Sequence, residues 1–251
     1  MKILIAITLF NKSLNCNDWL KTLQLLNRNH NINKIRLLIT DNSNDHCLNK
    51  HIQNDAFIYV KSFNNGGTRA TVLNSIKFCD ILGYDGTLFL DDDSQINNLI
   101  TLIDEIKTNE DKVVVPKVFD QNSNLVSPCG ISTYGTITPT DSNFTTAILS
   151  GSYIPRSYLN KILKIPKYFW LDYLDHYLFT KYFNDFIVSK AILNHNLSVS
   201  NVKQVRLSRL INICKSELFF YLAYKKPIPI IIFIPRLFYR ISKYLAYKLM
   251  P

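Results

Sequence analysis

Short apolar runs at residues 2–8, 35–40, 56–61, 87–90 and 113–119 are separated by stretches whose apolar residues recur at helical spacing. Such alternation is the pattern of βαβ units, in which strands buried on both faces are joined to parallel neighbours by crossover helices. It predicts an α/β fold on a mostly parallel sheet. The crossover helices are expected over Trp19 to Leu26, preceded by Asn17, from Thr68 to Ile81, and from Ser94 or Gln95 to about Ile106. After residue 120 the pattern loosens into turn signals and β-rich pieces at 125–138 and 144–148, then helical stretches from Ser157 and from Asp172 to Phe183. The opening run is too short for a secretion signal, has no small-residue cleavage site and stops at the polar Asn11. It reads as a first buried strand.

Charge is placed unevenly. The chain is +10 at pH 7, but from Lys203 onward ten basic residues face one acid, Glu217, so this end carries +9 and the first 202 residues only +1. A neutral main region argues against a nucleic-acid partner, whereas a basic, aromatic-rich end points to an anionic membrane surface. Length and a 47% hydrophobic content leave room for one α/β domain, residues 1–202, and a tail, residues 203–251. The five cysteines are scattered with no C-x-x-C pair, which fits free thiols in a reducing cytoplasm.

Three segments carry chemistry. Leu88-Phe-Leu90 runs into Asp91-Asp92-Asp93-Ser94, three carboxylates at the carboxyl end of a predicted strand, where open α/β sheets bind ligands. Adjacent carboxylates repel unless a cation neutralises them, and hard oxygen donors suit Mg²⁺ or Mn²⁺ on a diphosphate. The triplet by itself also suits a solvated acidic turn capping the next helix. Strand two ends in Thr40-Asp41-Asn42-Ser43, whose aspartate could accept hydrogen bonds from a base or ribose or simply form an Asx turn. Asn64-Asn65-Gly66-Gly67-Thr68-Arg69 precedes a helix, and there glycines allow close backbone approach and a helix start favours an anion.

In this order and spacing the segments resemble the family 2 glycosyltransferases of GT-A fold, and within them the rhamnosyl- and galactofuranosyl-type branch. The likeness rests on Thr8-Leu-Phe-Asn11, Asp41-Asn42-Ser43, Asn64 to Gly67 with a later Asn74, and Leu90 to Ser94. It continues through Ser150-Gly151-Ser152, the Phe169 to Asp175 stretch and His195-Asn-Leu-Ser198, so that it spans residues 1 to about 200. The resemblance implies a Rossmann-like nucleotide-binding sheet and an inverting transfer of sugar from a UDP- or dTDP-linked donor such as rhamnose or galactofuranose. It further implies that Thr8 and Asp41 contact the nucleoside, that Asn65, Gly67 and Arg69 line the donor site, and that Asp91, Asp92 and Asp93 lie by the ribose and the metal-bridged diphosphate. Asp91, Asp93 and His195 are the implied ligands of Mn²⁺ or Mg²⁺, though the residues alone leave open which of the triplet bind metal directly.

Asp175 aligns with the family's general base, and Asp172, three residues earlier, is read as the helix N-cap with a second role in orienting the acceptor. Relatives follow with an acidic residue and a Leu-Arg pair, whereas this chain has Tyr177, Leu178, Phe179 and Thr180, so donor sugar and acceptor class stay open. The expected partners are a nucleotide-sugar donor and a glycan or polyprenyl-linked acceptor in surface polysaccharide synthesis. A sugar nucleotidyltransferase and a non-catalytic nucleotide-sugar-binding module are the alternatives. The first would place a Gly-rich basic signature after strand one, which Leu9 to Ser13 lacks, and the second leaves the late acid pair and histidine without a purpose.

The tail completes the expectation. Ile228 to Pro235 is apolar but far shorter than the roughly 20 residues needed to span a bilayer. Beyond it, Arg236, Arg240 and Lys243 recur on one side of a helix and Leu237, Ile241, Tyr244 and Leu245 on another, the pattern of a helix lying in the membrane interface. This places the protein peripherally on the inner face of the cell membrane. Packing of the tail on the domain, or an oligomer contact through it, is the other reading.

Overall fold

The computed structural model describes residues 1–30, 34–43, 55–62, 66–91, 94–97, 99–169, 173–194, 207–225 and 227–249. The first half alternates as the sequence predicts: β1 (Lys2–Leu9), α1 (Cys16–His30), β2 (Lys34–Asp41), β3 (Phe57–Lys61), α2 (Gly67–Leu82), β4 (Gly86–Asp91), β5 (Gln95–Asn97), α3 (Leu99–Thr108) and β6 (Val113–Phe119). The second half holds the short strands β7 (Leu125–Ser127), β8 (Cys129–Ile131), β9 (Ile137–Pro139) and β10 (Tyr153–Pro155), then α4 (Arg156–Leu159), α5 (Leu174–Lys181) and β11 (Phe186–Asn194). Two long helices close it, α6 (Leu207–Tyr224) and α7 (Pro227–Leu249).

Among the described residues, β3-β2-β1-β4-β10-β6-β11-β5 form one sheet with β7 added on β6. The pairs β2/β3, β1/β2, β1/β4 and β6/β11 are parallel, and β10 is an antiparallel insert between β4 and β6. Period-two alternation sends the two halves of β1 to opposite cores. Ile3, Ile5 and Ile7 pack with Leu23 and Leu26 of α1 and with Leu102, Ile103 and Ile106 of α3, while Leu4 and Ala6 pack with Val72 of α2 and Phe89 of β4. A strand buried on both faces has to be apolar throughout, which explains the unbroken run that marked it in sequence. Cys79, Cys129 and Cys214 are buried free thiols, and burial pushes the first two up to about 11, so they stay protonated.

Three expectations change. The helix expected from Ser94 or Gln95 begins only at Leu99, because residues 95–97 extend to pair antiparallel with the end of β11. The N-cap of α5 is Tyr173, in the left-handed region at φ 57°, so the cap expected of Asp172 gives way, and Asp172 itself lies outside the described residues. Finally, the apolar stretch 228–235 belongs to α7, which runs through Pro235. Pro227 and Pro229 suit the first turn of this helix, where an amide has no intrahelical partner, and α6 ends as Lys225 turns to φ 55°.

Helices α6 and α7 pack on the elements that precede them. Phe220, Tyr221 and Phe233 join the core beside Leu174 and Leu178, Tyr168 stacks on Phe219 at 3.8 Å, and the Ser216 hydroxyl donates to the Tyr168 carbonyl at 2.7 Å. Glu217 is 1% exposed and is held by Arg240, by the Tyr221 hydroxyl at 2.8 Å and by Arg236 at 3.8 Å. Arg236 and Arg240 therefore face inward, as do Leu237 and Tyr244, which are partly buried. No helix among the described residues is long and apolar enough to cross a membrane.

Candidate functional site

Parallel pairing brings the carboxyl ends of β2, β1 and β4 to one edge. Leu9 lies opposite Asp41 and Thr8 opposite Asp91, so the two acids flank the end of β1 with backbones roughly 10 Å apart, two strand spacings. A gap of that order accommodates a ligand laid across the strand end, where such sheets bind.

On the β2 side, Asp41 is fully buried and fully engaged. Its Oδ1 accepts the Ser43 amide at 2.8 Å, and its Oδ2 accepts the Tyr59 hydroxyl at 2.7 Å and pairs with Lys61 Nζ at 3.5 Å. Burial, and next the hydrogen bond to Asp41, raise the Tyr59 phenol, so it stays a donor. Tyr59 and Lys61 stand on β3 in register with Ile39 and Asp41. Asn42 is 2% exposed, and its Oδ1 has no hydrogen-bond partner among the described residues. A buried acceptor without a donor is costly, so a polar ligand group would relieve it.

Helix α2 supplies the floor. The Thr8 hydroxyl meets the Thr71 hydroxyl at 2.8 Å, and Asn74 Nδ2 donates to Thr40 Oγ1 at 3.2 Å, tying the helix to the ends of β1 and β2. Gly67 opens the helix at φ 56°, and a Cβ on Gly66 would lie 2.7 Å from that of Ala70. The loop therefore needs glycine at both places. The Arg69 guanidinium donates to the Ile165 carbonyl at 3.1 and 3.0 Å, so it braces α2 against the segment leading to α5.

On the β4 side, the Asp91 amide donates to Ser94 Oγ at 2.8 Å, and Ser94 Oγ meets Ser150 Oγ at 2.9 Å. The Ser150-Gly151-Ser152 turn is fastened to β4, because the Gly151 amide donates to the Phe89 carbonyl at 2.7 Å and the Phe89 amide to the Ser152 carbonyl at 2.9 Å. One residue earlier, the Leu149 amide donates to Asp175 Oδ2 at 3.1 Å. Asp91 and Asp175, far apart in sequence, are thus held by one short run of backbone. Beside it, His176 Nδ1 meets Thr146 Oγ1 at 3.0 Å between the rings of Tyr173 and Phe220, and burial pushes this imidazole down to about 4. It is neutral near pH 7.

Thr8, Asp41, Gly67, Arg69, Asp91 and Asp175 are all described, and Thr8, Asp41, Gly67 and Asp91 gather at the same sheet edge. Asn65, Asp92, Asp93, Asp172 and His195 lie outside the described residues. Among the described residues no cluster of three or more His, Cys, Asp or Glu could hold a metal. Asn194, which precedes His195, stands opposite Gln95, which follows Ser94, so the strand leading to the histidine pairs with the segment that follows the acidic triplet. Sequence reading assigned no role to Tyr59, Lys61, Asn42 or Ser150. Tyr59 and Lys61 alternate on the strand beside Asp41, a signal readable once β2 and β3 are paired in register.

No protein-family model matches the chain, and no curated protein matches it in sequence. Solved structures do match in fold. S. aureus TarS 1–349 in complex with UDP superposes with a TM-score of 0.54 at 13% identity, covering 98% of this chain and 72% of that one. The same TarS fragment in complex with UDP-GlcNAc gives 0.51 at 14% identity, with the same coverage. GalNAc-T7 with UDP, GalNAc and Mn²⁺ gives 0.56 at 10% identity, covering 88% of this chain and half of that one. The architecture of this chain, a large and mostly parallel sheet followed by C-terminal helices, is the GT-A fold.

Proposed function

We propose that this protein is an inverting glycosyltransferase of the family 2 type, which moves a sugar from a UDP- or dTDP-linked donor onto a hydroxyl of a glycan or polyprenyl-linked acceptor. Rhamnose and galactofuranose are the donor sugars favoured by its motifs, and surface polysaccharide synthesis at the inner face of the cell membrane is its setting. The observation that carries the reading is the short bridge from Asp91 through Ser94 and Ser150 to the Leu149 amide on Asp175, which joins a nucleotide-type strand edge to the Asp175 carboxylate. Structures of the same fold hold UDP, UDP-GlcNAc and, in one case, Mn²⁺.

In this reading Asp41, already braced by Tyr59 and Lys61, and Asn42 Oδ1, which has no hydrogen-bond partner among the described residues, accept from the base or ribose, and Thr8 lines the strand end between them and Asp91. The α2 N-terminus at Gly67 faces an anion favourably. Asp175 takes the proton of the acceptor hydroxyl as its oxygen attacks the anomeric carbon. The bond from that carbon to the diphosphate oxygen breaks, and its electron pair leaves with the nucleotide. Placement in the first turn of α5 favours the charged carboxylate. Asp91 has the oxygen chemistry of a hard-cation ligand, and the pairing of Asn194 with Gln95 suits a third ligand from His195, so Asp91, Asp93 and His195 would hold Mn²⁺ or Mg²⁺. When bound, that ion neutralises the departing diphosphate.

The experiment is a thermal-shift screen of UDP-, dTDP- and GDP-sugars with Mn²⁺, followed by transfer assays on the stabilising donor. Binding to the native state raises apparent stability by mass action. Stabilisation by a nucleotide sugar and release of nucleoside diphosphate are expected. If no nucleotide or nucleotide sugar stabilises the protein, the proposal fails. Formation of nucleotide sugar from a nucleoside triphosphate and a sugar phosphate would replace it with a nucleotidyltransferase.

A further inference from the structure

Helix α7 has two unlike faces. Its inner face rests on α6 through Phe233 and Leu237, and Arg236 and Arg240 are engaged by Glu217. Its outer face is uncovered: Ile231 is 69% exposed and Phe238 66%, with Ile234, Ile241 and Leu245 also exposed. These five recur at steps of three, four, three and four, which lines them up along one side of a helix. Among the described exposed side chains of α7, only Lys243 carries a charge. So large an apolar strip facing water marks an interaction surface.

Charge chooses the occupant. The end of the chain that contains α6 and α7 carries +9, with Lys215, Lys225 and Lys243 all exposed. Pairing α7 with a second copy would set two such ends against each other, whereas an anionic bilayer is attracted to the net positive charge of this end and takes the apolar row into its headgroup layer. With Arg236 and Arg240 near its middle, the 23-residue α7 suits lying along that surface rather than crossing it.

We propose that α7 docks on an anionic lipid bilayer through the row Ile231, Ile234, Phe238, Ile241 and Leu245, while its arginine face stays on α6. This deepens the membrane part of the function proposed above and is independent of its chemistry. It also reassigns the contact. Arg236, Arg240, Leu237 and Tyr244, which the sequence pattern offers to the membrane, belong to the inner face.

The test is flotation of the full chain with phosphatidylcholine vesicles, with and without phosphatidylglycerol. The full chain is expected to float with anionic vesicles at low salt and to be released at high salt, and Ile231→Glu combined with Phe238→Glu should weaken binding by about tenfold or more. Phe238→Trp, a conservative change, reports the contact directly, since the fluorescence it adds over the parent should be quenched by brominated anionic lipid. Failure of the full chain to float at low salt overturns the proposal, as does added fluorescence in Phe238→Trp that brominated anionic lipid leaves unquenched. A concentration-dependent dimer abolished by the double substitution, without vesicle binding, also overturns it and assigns the face to a second copy. Nucleotide-sugar binding measured in parallel separates failure here from failure of the transferase reading.

Discussion

Asp175 has one carboxylate oxygen on the Leu149 amide, so an asparagine there keeps an acceptor for that hydrogen bond but cannot take a proton. Asp175→Asn is expected to lower turnover roughly a hundredfold or more with little change in donor binding. Steady-state kinetics paired with donor titration measure the split, and equal losses in both would move Asp175 out of the base role. Asp91→Asn with Asp93→Asn should abolish metal-stimulated turnover while leaving the melting temperature at or above that of the parent, since fewer like charges then crowd the strand end. Full activity of that pair in excess chelator would remove the metal assignment. Gly151 stands at φ 79°, where a Cβ would lie 2.5 Å from Pro116 Cγ. Gly151→Ala should therefore destabilise by about 1–3 kcal/mol and displace the Ser150 link, measured by urea unfolding beside the transfer rate.

Helix α5 concentrates the site's dependence on its neighbours. Its N-cap Tyr173 is pushed up to about 12, chiefly by burial, so it remains a protonated donor beside Glu217 and Arg240. His176 is held down to about 4 by burial, while an unfolded chain would titrate near 6.5. Between those values the unfolded state binds more protons, so stability is full above about pH 6.5 and falls as the pH drops toward 4. The slope over that window approaches about 1 kcal/mol per pH unit. His176→Gln should flatten this part of the stability curve, read by denaturant unfolding at a series of pH values. An unchanged curve would show that the imidazole is hydrated in the native protein.

At the scale of the whole molecule, Glu217 fastens α7 to α6. Truncating one member of a buried ion pair leaves the rest uncompensated, at a cost of about 3–5 kcal/mol. The side chains of Arg236 and Arg240 are 26% and 31% exposed, so water recovers part of that, and Glu217→Ala is expected at the low end. Equilibrium unfolding checks this. Glu217→Ala with Arg240→Met should recover part of the loss, because the stranded guanidinium is removed as well. If Glu217→Ala is neutral, α6 and α7 are held by their apolar contacts alone.

The sequence by itself determined the fold class. Strands buried on both faces must be apolar throughout and their crossover helices periodic, and β1, β2, β3, β4 and β6 were legible for that reason. It also placed Thr8, Asp41, Gly67 and Asp91 at strand ends and helix starts, because polar residues directly after an apolar run have to emerge at the sheet edge. Tertiary structure decided whatever depends on partners distant in the chain. Only the pairing of residues 95–97 with β11 turned an apparent helix start into a strand. Only the fastening of residues 149–152 to β4 joined Asp91 to Asp175, and only the bonding of Glu217 to Arg236 and Arg240 chose which face of α7 is left to the solvent. Local periodicity shows that a helix has two faces. Which of them is buried follows from the free energy of contacts made elsewhere in the chain, and that is absent from any short window of residues.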